Sequence, residues 1–168
     1  MRRKLFFIIC AALSYGTTKA QVTNVLFLGN SYTYVNNLPQ LIKDVALSFG
    51  DTIFTDQNTP GGTTFNYHST DPTSLNKIAQ GTWDYVVLQA QSQEPSFSPA
   101  QVASQTYPFA QSLVNSIKSA NSCTEPIFFM TWGRKNGDAS NCAAYPPICT
   151  FEGMQQRLRE SYLEMAND

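Results

Sequence analysis

The sequence is poor in charge. Only 14% of its 168 residues are Asp, Glu, Lys or Arg, and acids balance cations at 12 to 11. That leaves no basic stripe for a nucleic-acid backbone, so nucleic acid is set aside as a partner. Histidine is scarcer still: His68 stands alone. Without a second histidine or closely spaced cysteine pairs, a zinc site has too few ligands, and no metal or cofactor is expected. Long hydrophobic runs are missing too. The apolar stretch Leu5 to Leu13 is far shorter than the ~20 residues a membrane-spanning helix needs, so no stable membrane anchor is expected.

What stands at the N-terminus reads instead as an address. Arg2, Arg3 and Lys4 precede the apolar stretch, and Thr18-Lys19-Ala20 resembles a small-x-small cleavage site. Residues 1–20 therefore read as a signal peptide, with the mature chain starting at Gln21 and exported to the periplasm or beyond. Its removal takes Arg2, Arg3, Lys4 and Lys19, leaving seven cations against 12 acids. Export permits disulfides. Cys10 leaves with the signal. Cys142 and Cys149 flank Ala-Ala-Tyr-Pro-Pro-Ile and are expected to close a small loop, which makes Cys123 the odd one. The remainder, 21–168, has the apolar content of one globular domain.

Along that domain, apolar runs alternate with helical patterns. Val25–Leu28 reads as a buried strand stopped by Gly29. Leu38, Leu41, Ile42, Val45, Ala46 and Phe49 recur at helical spacing up to Gly50. Thr52–Gln57 reads as a second strand and residues 58–62 as a loop. Asp71-Pro72 reads as an N-cap with proline at the first helical position. Tyr85–Leu88 is a third strand, apolar throughout as in a sheet covered on both faces. Ser98-Pro99-Ala100-Gln101 fits a capping box and opens a long helix interrupted at Pro108. Ile127–Met130 is a fourth strand, residues 131–149 a long loop, and Phe151–Met165 a last helix with Met154, Leu158, Tyr162 and Met165 on one face. Strand and helix thus alternate four times, which implies an α/β fold: a flavodoxin-like three-layer α/β/α arrangement around a parallel sheet. Ligands of such sheets bind at the carboxyl ends of the strands.

The loops at those ends carry the chemistry. Ser31 follows the first strand and precedes a helix. Gly61-Gly62 follows the second strand and permits close backbone approach. Gln89, Gln91 and Gln93 alternate after the third strand, and an extended continuation would put their amides on one side. Trp132 and Arg134 follow the fourth strand as an aromatic wall and a cation suited to a polar or acidic substrate. His68 reads as a surface-loop residue.

This layout resembles the SGNH (GDSL-type) hydrolases. Gly29-Asn30-Ser31-Tyr32-Thr33 is similar to their first motif block, Gly61-Gly62-Thr63-Thr64 to the second, and Asp84-Tyr85-Val86-Val87-Leu88 leading to Gln91-Ser92-Gln93-Glu94 to the third. The resemblance implies an ester hydrolase with Ser31 as nucleophile. It implies an oxyanion hole built from the N–H groups of Ser31 and Gly61 and the Gln93 amide, and a small-molecule or carbohydrate ester as substrate. Asn30, Gln91, Trp132 and Arg134 are the expected substrate-binding residues. The sequence departs from the family pattern at Asn30, where the family has Asp, and at Gln93, where it has Asn. The family's Asp-x-x-His block has no counterpart in these residues. A serine hydroxyl is a weak nucleophile without an adjacent base, so the chain reads as an incomplete domain, lacking a fifth strand and the Asp/His pair and inactive as it stands. The Gly-x-Ser-x-Gly elbow of lipase-like hydrolases is not matched, since position 33 is Thr. The rival reading is a non-catalytic flavodoxin-like domain that holds a carbohydrate, a phosphate or a flavin.

Overall fold

In a computed structural model, residues 22–167 are described; the signal-peptide reading falls outside them. The sheet is parallel, with strands β1 (Val22–Leu28), β2 (Thr52–Asn58), β3 (Tyr85–Leu88) and β4 (Glu125–Phe128) in the order β2-β1-β3-β4. Seven α-helices connect and flank them: α1 (Ser31–Tyr34), α2 (Leu38–Ser48), α3 (Phe65–Thr70), α4 (Pro72–Ile78), α5 (Pro99–Gln105), α6 (Tyr107–Ala120) and α7 (Phe151–Asn167). The chain leaves β1 to one side to make β2, then returns across β1 to make β3. The carboxyl ends of β1 and β3 therefore flank the topological switch point, where open α/β sheets bind their ligands.

The two faces of the sheet are covered unequally. Leu26 and Leu28 of β1 and Val86 and Leu88 of β3 point into a core shared with Phe65, Ile78, Leu113, Ile117, Met154 and Leu158. These come from α3, α4, α6 and α7, so the main core lies on that side. The opposite face carries Val25, Phe27, Tyr85, Val87 and Ile127, and α2 supplies its cover through Leu38 and Ile42, leaving an apolar groove of about 560 Å³ between them. Most expected elements are present. Asp71 accepts a hydrogen bond from Ser74 N at 2.9 Å, as its N-cap reading required. The α5–α6 break falls at Thr106, just before Pro108.

Three expectations are corrected. Strand β4 pairs over Glu125–Phe128, two residues earlier than the apolar run suggested. Its partner β3 ends at Leu88, where Gln89 turns inward, and Phe129 makes the last ladder bond to Leu88 O. Helix α3 was not foreseen: Thr64 caps it by accepting from Tyr67 N. On α2, Leu41, Val45 and Phe49 are exposed rather than packed, because that helix rests on the sheet only along its Leu38–Ile42 side.

Candidate active site

Ser31 opens α1 directly beyond β1, and the turn presenting it is held from beneath by buried polar side chains. Gln89, the first residue after β3, is fully buried. Its Oε1 accepts from Asn30 N (2.8 Å) and from the Thr33 hydroxyl (3.0 Å), and its Nε2 donates to Asn30 Oδ1 (3.0 Å) and to Ala90 O. Each polar atom of the amide thus has partners, as burial demands. The packing explains Gly29: a Cβ there would lie 2.6 Å from Thr33 Oγ1 and 2.7 Å from Gln89 Oε1.

Asn30 completes the brace. Its Oδ1 caps α1 by accepting from Tyr32 N at 3.1 Å, and its Nδ2 donates to Thr63 O at 2.8 Å. With both ends engaged and the residue 2% exposed, Asn30 ties the Ser31 turn to the Gly61-Gly62 loop. Its side chain, expected among the substrate-binding residues, has both polar atoms engaged within the protein. The same loop is tied again by Thr63, whose hydroxyl donates to Gly29 O at 2.8 Å. Gly61 is exposed on this loop, with Tyr34 Oη 3.7 Å from where a Cβ would sit; Gly62, at φ 74°, makes the turn.

His68 is no surface residue. It is completely buried on α3. Its Nε2 lies 2.9 Å from Gly29 O, a carbonyl that can only accept, so this nitrogen carries the proton. Its Nδ1 meets Ser74 Oγ at 2.8 Å, and Ser74 sits beside Asp71 Oδ2 at 3.1 Å. Burial pushes the imidazole below its usual range, outweighing the hydrogen bond to Gly29 and the charge of Asp71, which act the other way. His68 is therefore a neutral strut under the Ser31 turn, with both ring nitrogens engaged and neither on the Ser31 hydroxyl.

The glutamines after β3 do not share a side, because the backbone curls instead of extending: Gln93 has helical angles and a short 3-10 turn follows at Glu94–Ser96. Gln89 goes inward. Gln91 caps the turn, its Oε1 accepting from Gln93 N (2.6 Å) and Glu94 N (3.1 Å). Gln91, expected to contact substrate, thus also caps a turn with its Oε1. Gln93, half-buried, donates from Nε2 to Asp138 Oδ2 at 2.8 Å.

Asp138 is the residue that sequence reasoning missed. It lies in the loop after β4, whose expected Cys142–Cys149 disulfide is present; Cys123 is free and exposed. The carboxylate is fully buried. It accepts from Gln93, from Asn141 Nδ2 (2.7 Å) and Ser140 N (3.2 Å), and pairs with Arg134 at 3.4 Å. Burial pushes its pKa up, but the donors of Asn141, Gln93 and Ser140 and the Arg134 charge together hold it below the usual carboxylate range. Arg134 keeps part of its guanidinium exposed. Trp132 is 51% exposed and reaches back across the switch point, its ring 4.6 Å from that of Tyr32. The loops after β1 and β4 thus meet in an aromatic pair next to Ser31.

No family model and no curated protein matches the sequence. Solved structures do match in shape. A DUF4886 family protein from Bacteroides uniformis superposes at a TM-score of 0.68 with 17% identity, over 88% of this chain and 64% of that one. The esterase EstA from Pseudoalteromonas sp. superposes at 0.58 with 14% identity, over 87% of this chain and 73% of that one. The chain shares its fold with these proteins. A Geobacillus acetyl-xylooligosaccharide esterase, Axe2, superposes at 0.50 with 12% identity, over 88% of this chain and 76% of that one. The chain spans less than two thirds of the Bacteroides protein's length. Among the described residues, no helix is long and apolar enough to cross a membrane.

Proposed function

We propose that the protein is an exported SGNH-type ester hydrolase in which Ser31 attacks the ester carbonyl. The carrying observation is the brace beneath Ser31. Gln89, Asn30, Thr63 and His68, drawn from three strand-end loops, all converge on one turn at the switch point. So much buried polar structure around a four-residue helix suits a serine that must be held in one place. The N–H groups of Ser31 and Gly61 and the Gln93 amide are the oxyanion donors in this reading. His68, engaged on both ring nitrogens, is not the base in this reading.

Trp132 with Tyr32, the residue after Ser31, offers an aromatic wall, and Arg134, on the same loop as Trp132, a partly exposed cation. These favour a polar substrate such as an acylated carbohydrate, the class on which the structurally similar Axe2 acts. The flavin or phosphate reading is weakened by the same brace. The Asn30 N–H and Thr33 hydroxyl that a phosphate loop would offer both point inward to Gln89. The full-length protein should hydrolyse p-nitrophenyl acetate and lose at least a hundredfold of that activity on Ser31→Ala; equal activity in the two proteins would reject the assignment.

A further inference from the structure

We propose that Asp138 is a positioning residue for the oxyanion hole, fixing the Gln93 amide from the long loop after β4; this rests on the esterase reading above.

The argument begins with the freedom of a glutamine. Its side chain has three torsions, and its amide presents oxygen or nitrogen with almost the same shape. A glutamine replacing the shorter asparagine can serve as an oxyanion donor only if something chooses the nitrogen and holds it. An ionised carboxylate makes that choice, because it accepts hydrogen bonds and cannot donate them. Asp138 Oδ2 lies 2.8 Å from Gln93 Nε2, so the nitrogen is the atom that must face it. From the other side, Gln91 Nε2 approaches Gln93 Oε1 at 3.3 Å. The amide is therefore held at its oxygen and at one N–H, and the second N–H of Nε2 remains for a ligand.

Asp138 is itself fixed well enough to do this. Its side chain has no exposure, and Asn141 and the Ser140 N–H hold it beside Gln93. Its backbone N–H donates to Ile148 O at 2.8 Å, next to Cys149, which ties it to the loop that the Cys142–Cys149 disulfide closes. A lone carboxylate near a developing oxyanion would repel it. Here the donors and the Arg134 guanidinium at 3.4 Å offset that charge. What reaches the site is the orientation of the amide.

The test is a double-mutant cycle in the full-length protein, with p-nitrophenyl acetate as substrate. One oxyanion donor is worth ~10²–10³ in rate, so Asp138→Ala, which frees the donor without deleting it, should lower kcat by about 10- to 100-fold. KM should change little. On a Gln93→Ala background the same substitution should cost nothing further, since residues acting through one another are not additive. Asp138→Asn, whose amide can donate as well as accept and so no longer selects the Gln93 nitrogen, should show part of the same Gln93-dependent loss, and it takes the place of the alanine variant in the cycle should that one not fold. Asp138 substitutions that cost the same factor with and without Gln93 would overturn the proposal in favour of simple loop support, as would substitutions that leave kcat unchanged. Ser31→Ala, run alongside, separates the two assignments. Activity that survives it removes the esterase reading and this inference together, whereas activity that needs Ser31 but ignores Asp138 removes only the positioning role.

Discussion

Around Ser31 the rim of the sheet is held by neutral groups: two amides, a hydroxyl and an uncharged imidazole, all buried or nearly so and all bonded to backbone or to one another. Around Asp138 it is held by a carboxylate, a partly exposed cation and a covalent bond between Cys142 and Cys149. The difference follows from what lies behind each loop. The Ser31 turn sits over the main core, where an unpaired charge would be costly and a neutral network loses nothing to salt or reductant. The loop after β4 has no strand beyond it among the described residues, and its Pro146–Cys149 turn packs on α7. With less apolar surface to bury, it relies on a cross-link and a hub of charge-assisted hydrogen bonds. The two halves of one site should therefore fail under different conditions.

The largest effect should come from the neutral side. Gln89→Leu keeps the volume and removes the amide, orphaning the Asn30 N–H and the Thr33 hydroxyl. At ~1–3 kcal/mol for each buried donor left without a partner, the loss of stability should be about 2–6 kcal/mol. Hydrogen exchange localises it: the Asn30 amide, bonded to Gln89 at 2.8 Å, should lose protection while that of Asp138, bonded to Ile148 O, keeps it. Loss of protection at both would mean that the two loops form one unit.

The disulfide side should yield less and yield differently. A loop closed across a sequence separation of 7 contributes about 2.5 kcal/mol in the chain-entropy account. Cys142→Ser with Cys149→Ser, or reductant alone, should lower the melting temperature accordingly. Exchange should now accelerate at Asp138 and not at Asn30. A reductant that left Asp138 protected would show that its hydrogen bonds hold the loop without the cross-link.

Much of this was legible in the residues, and the limits have physical causes. The alternation of strand and helix, the Ser31 turn and the Cys142–Cys149 spacing are local signals, and each is present in the structure. The roles of Gln89, Gln91 and Gln93 were not local. Their alternation suggested an extended strand end, yet the turn at Glu94–Ser96 sends each side chain a different way. His68 looked like a loop residue because its partners, Gly29 O and Ser74, lie 39 and 6 residues away. Asp138 was silent for the same reason, its contact to Gln93 spanning 45 residues. Polar residues buried by tertiary contact leave no period in the sequence. A lone histidine next to a motif block and a carboxylate just before a cystine-closed loop are the signals that could have raised them.

The smallest effect should be one of pH, and it separates the two sides by window. His68 is held below its ordinary value of 6.5 by burial, against the Gly29 hydrogen bond and the Asp71 charge. The unfolded chain therefore takes up this proton first as pH falls. Stability from a neutral His68 is complete above pH 6.5 and declines below it until the folded imidazole is itself protonated. Asp138 behaves with the same sign in a lower range. Burial works against its ionisation, the donors around it prevail, and its contribution is complete above 3.8 and lost only as pH falls through the depressed folded value. Between those limits, mild acid should weaken the Ser31 turn alone. Glu94, raised by burial, gains stability on acidification, and it does so in wild type and variant alike. The useful quantity is then the difference in melting temperature between wild type and His68→Gln, followed from pH 8 to pH 5. That difference should shrink by a few degrees as pH falls, because only the wild type loses what a neutral imidazole supplied. A protonated His68 still has Gly29 O and Ser74 Oγ as acceptors, with Asp71 behind Ser74, which keeps the effect small. A difference that stays constant with pH would mean that His68 is no neutral strut, and that the Ser31 side of the rim tolerates charge as the Asp138 side does.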